Sequence, residues 1–424
     1  MSTAALPRVL VYAQHLSGVG HYVRTYEIAR ALTSQFEVHW IEGGRPVPHR
    51  SCESIEMIEI PRIRRGSDGA LQALLTDQPL AVVLAERRRI LIEAIEHLRP
   101  DVFLVEYFPF SKWELAPELL PAIRAVRRLG GMVLCSIRDI VRQTRFEAVD
   151  AQQHAARTID WLGQSFDALL VHADPDLIRL ESSFPAVPAI PVPIFYTGIV
   201  SEPLGACPPA TVQDLATVCQ GRPYALVSAG GSSGGGTLIG AALEAWRDPA
   251  VADGRLLVVC SDLSQNAADL LPAGSAALDK ALLQRIRLLP FRADFLHWLA
   301  AADLSISQCG YNTAANLLET GVRAVVSPHP GMSDQGPRAA CLAALDLVEQ
   351  VDASQAPACL AEAIQRADLN GRRSHALQLD GAAQTLRIVA SLLQRRWQRQ
   401  RQAVDADPLN AGDRSSGCRR GHDR

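Results

Sequence analysis

The residues best suited to chemistry gather at glycine-rich turns. In HLSGVGHYVR (15–24), Gly18 and Gly20 precede His21 where an apolar run hands over to a helical pattern. A helix N-terminus carries about half a positive charge, which disfavours an imidazolium and keeps His21 neutral near pH 7. A neutral histidine there is a candidate general base for a hydroxyl, with a helix-capping histidine as the plainer alternative. In AGGSSGGG (229–236), Gly230, Gly231, Ser232, Ser233 and Gly234 precede a second helical pattern. Small residues let backbone N–H groups close on an oxyanion, so this loop suits a phosphate or diphosphate, against a plain surface turn.

Two further stretches add polar groups at strand ends. SQCGYNTAANLLETG (307–321) turns at Gly310, opens a helix near Thr313 and carries Glu319 two turns in. A carboxylate so placed can accept two hydrogen bonds from a ribose diol, although a glutamate on a helix is commonly just solvated. SPHPGMSDQGPRA (327–339) sets Asp334 beside Gln335, a pair suited to several sugar hydroxyls. In the first half, MVLCSIRD (132–139) ends in Arg138 and Asp139, either a structural pair or, for Asp139, an aid to the base.

These groups need a scaffold that brings strand ends together, and the patterning supplies one. RVLVYAQ (8–14) is a buried-type strand, HYVRTYEIARAL a one-faced helix and FEVHWIEGG (36–44) a second strand. Apolar runs at 102–107, 132–139 and 167–174 alternate with helical stretches at about 70–98, 114–129 and 144–163. The second half repeats the plan, with strands at 224–228, 255–262, 286–291, 302–310 and 323–330. The expected fold is α/β: two doubly wound, Rossmann-like parallel sheets whose carboxyl ends face one another across a cleft. The expected divisions are a first domain 1–202, a proline-rich linker 203–222, a second domain 223–380, a helix 381–402 and a disordered tail 403–424.

Composition narrows the class. With 424 residues, 48% hydrophobic and 21% charged, the chain can fill two cores. A formal charge of −3 gives no electrostatic reason to expect nucleic acid. Lysine occurs only as Lys112 and Lys280, so no phosphate loop of the Gly-Lys-Ser/Thr type exists. The cysteines show no C-x-x-C pair, no metal-ligand cluster is apparent, and neither a signal peptide nor a membrane-spanning run is present; a cytoplasmic protein is expected. The final helix carries Arg395, Arg396, Arg399 and Arg401, a solvated face or a peripheral contact with anionic lipid.

With these residues in hand, the chain resembles the GT-B glycosyltransferases. It is most similar to a bacterial predicted-glycosyltransferase group related to the lipid II-forming N-acetylglucosaminyltransferase family. The likeness is carried by GVGHYVR, EYFPFSKWEL, SIRDI, LLVHADP and YTGIV, and by the block from ADLSISQCG to HPGMSDQGPRAA, over about residues 8–395. It implies that Glu319 holds the donor ribose, and that Gly230 to Gly234 with Gly310 and Thr313 hold the diphosphate. It also implies that Asp334 and Gln335 meet the sugar, and that the backbone at Phe291 reads the base. Gly18, Gly20, Glu106 and Arg138 then fall on the acceptor side, with His21 as base and Asp139 assisting. A UDP-sugar is the implied co-substrate, no tightly bound cofactor is expected, and the acceptor is a small or lipid-linked hydroxyl. The first loop is less glycine-rich than that of the lipid II enzyme, so its lipid-diphosphate acceptor does not carry over.

Three other readings share these residues. A nucleotide-sugar hydrolase would use the same base on water. An NAD-dependent oxidoreductase would use Gly18-x-Gly20 with Glu42 as its ribose acid, but the third glycine is missing and His21 crowds the pyrophosphate. A non-catalytic binding protein on the same fold would bind donor without turnover.

Overall fold

The computed structural model describes residues 5–16, 20–45, 47, 52–66, 69–141, 148–229, 235–261, 267–271, 279–352, 354, 357–369 and 371–405. Its first sheet has seven strands: β1 (Arg8–Tyr12), β2 (Glu37–Glu42), β3 (Ile55–Glu59), β6 (Val102–Glu106), β7 (Met132–Arg138), β8 (Ala168–His172) and β9 (Ile194–Tyr196), with a separate hairpin of β4 (Ile63–Arg65) and β5 (Leu71–Ala73). Their order is β3-β2-β1-β6-β7-β8-β9, and every pairing within this sheet is parallel. The sheet is covered by α1 (Gly20–Leu32), α2 (Leu80–Leu98), α3 (Ala116–Arg128) and α4 (Ala148–Ser165). Near-continuous apolar strands such as VFLVE and ALLVH are buried along their whole length, as a sheet covered on both faces requires.

After α5 (Pro209–Cys219) the second sheet runs β12-β11-β10-β13-β14-β15, again all parallel. Its strands are β10 (Tyr224–Ser228), β11 (Leu256–Cys260), β12 (Ile286–Leu289), β13 (Leu304–Ser307), β14 (Ala324–Val326) and β15 (Glu349–Gln350). Around it lie α6 (Gly235–Ala245), the single turns α7 (Pro249–Ala252) and α8 (Lys280–Leu283), then α9 (Phe295–Ala301), α10 (Tyr311–Thr320), α11 (Gln335–Ala344) and α12 (Pro357–Leu369).

The last helix, α13 (Gly381–Asp405), returns to the first lobe. Its Val389 and Leu393 are buried with Val9, Val11, Tyr22, Ile28 and Trp40. Burial of each such side chain contributes roughly 1.5–3 kcal/mol. Just before α13, the chain crosses the outgoing connection: Asp380 bridges Val200, Ile199 N donates to Gln378 O, and Gly381 N donates to Ile199 O. Two glycines allow that approach. A Cβ on Gly381 would lie 2.7 Å from Gly198 O, and Gly198 itself has φ +81°.

Three boundaries differ from the sequence reading. The proline-flanked segment read as chain leaving the first lobe contains β9, the edge strand, where prolines cost no ladder bond. The stretch 203–222 read as linker contains α5. The expected tail 403–424 begins inside α13, and residues 406–424 lie outside the described residues. Among the described residues no helix is long and apolar enough to cross a membrane.

Candidate active site

The site forms where the carboxyl ends of the two sheets meet. The starts of α1 and α10 face each other there, joined by a hydrogen bond from Asn312 Nδ2 to Gly20 O at 3.1 Å. Tyr311, in the first turn of α10, accepts from Val200 N and donates to His172 O, both at 2.9 Å. His172 is buried between the Ser136 and Thr197 hydroxyls, and burial depresses its pKa to about 3.

His21 lies in the first turn of α1, about a fifth exposed, with Nδ1 2.6 Å from Glu106 Oε1. A carboxylate only accepts, so Nδ1 carries the proton and Nε2 keeps the lone pair. Burial lowers the His21 pKa to about 4 despite the opposing pull of Glu106, so the ring is neutral at physiological pH.

Glu106, at the end of β6, is fully enclosed and holds two cations besides the His21 ring. Oε1 also accepts from Arg24 Nη2, and Oε2 accepts from Lys112 Nζ at 2.6 Å. Although burial opposes ionisation, His21, Lys112 and Arg24 hold its pKa well below the carboxylate range. The strand order makes this arrangement possible: β6 lies beside β1, so Glu106 emerges next to the loop that leads into α1. Tyr107 and Lys112 both have left-handed φ, 69° and 61°, in the turn that follows. The Tyr107 ring meets the His21 ring edge-on at 5.2 Å.

A second charged group joins the lobes. Arg338 on α11 grips Asp139 with both edges of one fork, Nε to Oδ2 at 2.6 Å and Nη2 to Oδ1 at 2.9 Å. It also donates to Asp334 Oδ2 at 3.0 Å and to Cys309 O at 2.7 Å. All three side chains are nearly inaccessible. Thus the carboxylate on His21 is Glu106, whereas Asp139, expected beside the base, belongs to the clamp between lobes.

The other expected residues are placed as follows. Gln335 begins α11 and accepts from His329 N at 2.8 Å through Oε1. Glu319 accepts from Ser201 Oγ at 2.8 Å and Leu204 N at 2.9 Å. Gly310 precedes α10 with φ −65°, a conformation open to any residue, and a Cβ there would meet Thr313 Oγ1 at an ordinary 3.8 Å. Phe291, just after β12, is 55% exposed. Gly18 and Gly230 to Gly234, with Ser232 and Ser233, lie outside the described residues. Glu42 is occupied by Gly44 N and Arg62. One group with metal-ligand spacing occurs among the described residues, Glu37, His39 and Glu56, and it lies toward the amino end of β2, away from His21.

Sequence reading missed Arg24, Lys112, Tyr107, Tyr311 and Arg338. Two signals could have found some of them. Arg24 follows His21 by three positions, hence on one helix face. Lys112 is one of only two lysines in an arginine-rich chain, six residues after Glu106.

Residues 226–391 match the glycosyltransferase family 28 C-terminal domain. Across 92% of this chain and 99% of the other, the structure is similar to the glycotransferase of kitacinnamycin, with a TM-score of 0.58 at 18% identity. It is likewise similar to Phytolacca americana UGT2 complexed with UDP-2-fluoro-glucose and pterostilbene, with a TM-score of 0.56 at 14% identity over 92% and 94% of the two chains. Acinetobacter baumannii MurG matches with a TM-score of 0.50 at 18% identity over 92% and 99%. No curated protein sequence matches. The fold is GT-B: two parallel-sheet α/β lobes with their carboxyl ends opposed.

Proposed function

We propose that this GT-B chain is a glycosyltransferase that moves a sugar from a nucleotide-sugar, a UDP-sugar by preference, to a hydroxyl acceptor with inversion at the anomeric carbon. The observation that carries the reading is the His21–Glu106 pair at the start of α1, directly opposite the start of α10. In this scheme His21 Nε2 removes the acceptor proton as the hydroxyl oxygen attacks the anomeric carbon. The bond from that carbon to the diphosphate oxygen breaks, and the nucleoside diphosphate leaves. Glu106 fixes the tautomer and offsets the imidazolium charge as it develops.

The donor falls to the second lobe, a reading supported by the family 28 match over 226–391 and by similar folds captured with UDP or a UDP-sugar. Gly230 to Gly234, Gly310 and Thr313 take the diphosphate at helix starts, the backbone at Phe291 the base, and Asp334 and Gln335 the sugar, in exchange for Arg338 and His329 N. Glu319 takes the ribose diol, exchanging Ser201 Oγ and Leu204 N for it.

The test is thermal stabilisation by UDP, GDP, dTDP, ADP and NADH. A ligand at 100 times its dissociation constant adds about 2.7 kcal/mol of stability. We expect a selective rise with one nucleoside diphosphate, UDP first, that is absent in Glu319→Ala. A rise with NADH alone would overturn the reading.

A further inference from the structure

Two arginines, 200 positions apart in the chain, meet at the Asp334 carboxylate, and they differ in one respect. Arg338 has its Nε–Nη2 edge filled by both oxygens of Asp139. Arg138, at the end of β7, presents the same edge, yet its Nε and Nη2 are buried and donate to no protein atom. Its remaining nitrogen, Nη1, makes only a loose contact with Asp334 Oδ2 at 3.4 Å. The side chain is 11% exposed. Arginine stays ionised in proteins, and buried donors without partners carry a desolvation penalty that structures seldom leave standing.

Charge alone does not set Arg138 apart. Among the described residues, Asp139 and Asp334 face Arg338 and Arg138, while Glu106 faces Arg24 and Lys112 beside a neutral His21. What distinguishes Arg138 is a whole guanidinium edge, Nε and Nη2, that is buried without a partner. Arg24 also has an unpartnered Nε, but its Nη2 is bound to Glu106. The location is next to the reaction: the Arg138 guanidinium lies 5.6 Å from the Tyr107 ring centre, and that ring touches His21.

We infer that Arg138 receives a planar or tetrahedral anionic substituent of the substrate, a carboxylate or phosphoryl group other than the donor diphosphate, held bidentately beside His21. The inference builds on the proposed transfer reaction, in which the diphosphate rests on the opposite lobe. A neighbouring Nε–H and Nη2–H pair matches two oxygens of such a group, as Arg338 already demonstrates with Asp139. The substituent belongs either to the transferred sugar, as in a uronic acid, or to the acceptor close to its reacting hydroxyl.

The experiment titrates inorganic phosphate, at constant ionic strength, into wild type, Arg138→Met and Arg138→Lys, with calorimetry and melting temperature as readouts. Wild type is expected to bind at least about tenfold tighter than Arg138→Met, with Arg138→Lys between them because it keeps the charge but loses the fork. Arg138→Met gives up only the 3.4 Å contact with Asp334, which keeps Arg338, and relieves two unpartnered donors, so it should melt close to wild type. UDP-glucose and UDP-glucuronate then separate the sources. A tenfold loss confined to UDP-glucuronate places the anion on the donor sugar. Unchanged binding of both, with phosphate affinity still lost in the presence of saturating UDP-glucose, places it on the acceptor. Equal phosphate affinity in all three proteins, or an equal loss for UDP itself, overturns the inference. Wild type that binds phosphate through Arg138 but no nucleoside diphosphate would instead overturn the transfer reaction and leave Arg138 as an anion site.

Discussion

The helix that opens the first lobe begins Gly20-His21-Tyr22-Val23-Arg24, and the one that opens the second begins Gly235-Gly236-Thr237-Leu238-Ile239. Both follow a central strand and a glycine-containing stretch of sequence, but they bury different things. Helix α1 carries His21 and Arg24 onto a buried carboxylate, whereas the first nine positions of α6 contain no ionisable side chain. Gly235 is required by packing, because a Cβ there would lie 2.3 Å from Ala229 Cβ; a Cβ on Gly20 would meet only Asn312 Nδ2 at 3.7 Å. In the proposed transfer, the first helix start moves a proton, and the second lobe takes the diphosphate. A transferase needs both, since deprotonating a nucleophile and holding a leaving diphosphate are separate electrostatic tasks.

The strongest way to break this contrast is His21→Ala. If proton transfer belongs to the first lobe alone, kcat falls by about 10²–10⁴-fold while the dissociation constant for the nucleotide moves less than about threefold. A matching loss of nucleotide affinity would show that α1 contacts the donor and that the division is false.

Glu106→Gln comes next. It removes the negative charge that offsets an imidazolium, leaves one acceptor oxygen where there were two, and sets Arg24 and Lys112 against a neutral amide in a buried site. Breaking a buried ion pair on one side costs about 3–5 kcal/mol, so the melting temperature drops along with kcat. Asp139→Asn should instead weaken the interlobe clamp without a special effect on the pH dependence of kcat. A pH profile altered by Asp139→Asn but not by Glu106→Gln would reverse the two roles.

The smallest effect sharpens the comparison through acid stability. His21 and His172 have native pKa values of about 4 and about 3, both below the ordinary histidine value of about 6.5. As pH falls below about 6.5 the unfolded chain takes up protons that the native site refuses, so their stabilisation is complete above that pH and is lost on descending toward 4 and 3. The melting temperature should therefore be level near pH 7–8 and fall steadily below pH 6.5. In His21→Gln that fall should be shallower by up to one proton, and an unchanged slope would mean that His21 is already charged in the native site.

Much of the scaffold was legible because buried parallel strands read as uninterrupted apolar runs between glycine turns. The edge strand β9 was not, since the prolines around it look like a linker, and α5 was hidden for the same reason. His21 could be picked out locally, from its place at a helix start. Its partner could not. Glu106 and Asp139 both end strands in the first lobe, and choosing between them requires knowing that β6 rather than β7 lies against β1. That order arises from a long crossover through β3, β4, β5 and α2, and no spacing in the sequence encodes it. The clamp was invisible for a related reason, because Arg338 meets Asp139 only once two separate sheets have docked.

The return of α13 to the first lobe has a consequence for how the protein is made. Val389 and Leu393 complete an apolar layer that also holds Val9, Val11, Tyr22 and Ile28, residues that leave the ribosome long before them. Domains usually fold in the order of synthesis, each when its own residues have emerged. Here the first lobe must wait for the second to be translated, its α1 face exposed to solvent until α13 arrives. A nascent chain stalled before Gly381 should therefore be more open to protease at α1 than one released after Asp405, and His21 on that helix should gain its final setting last.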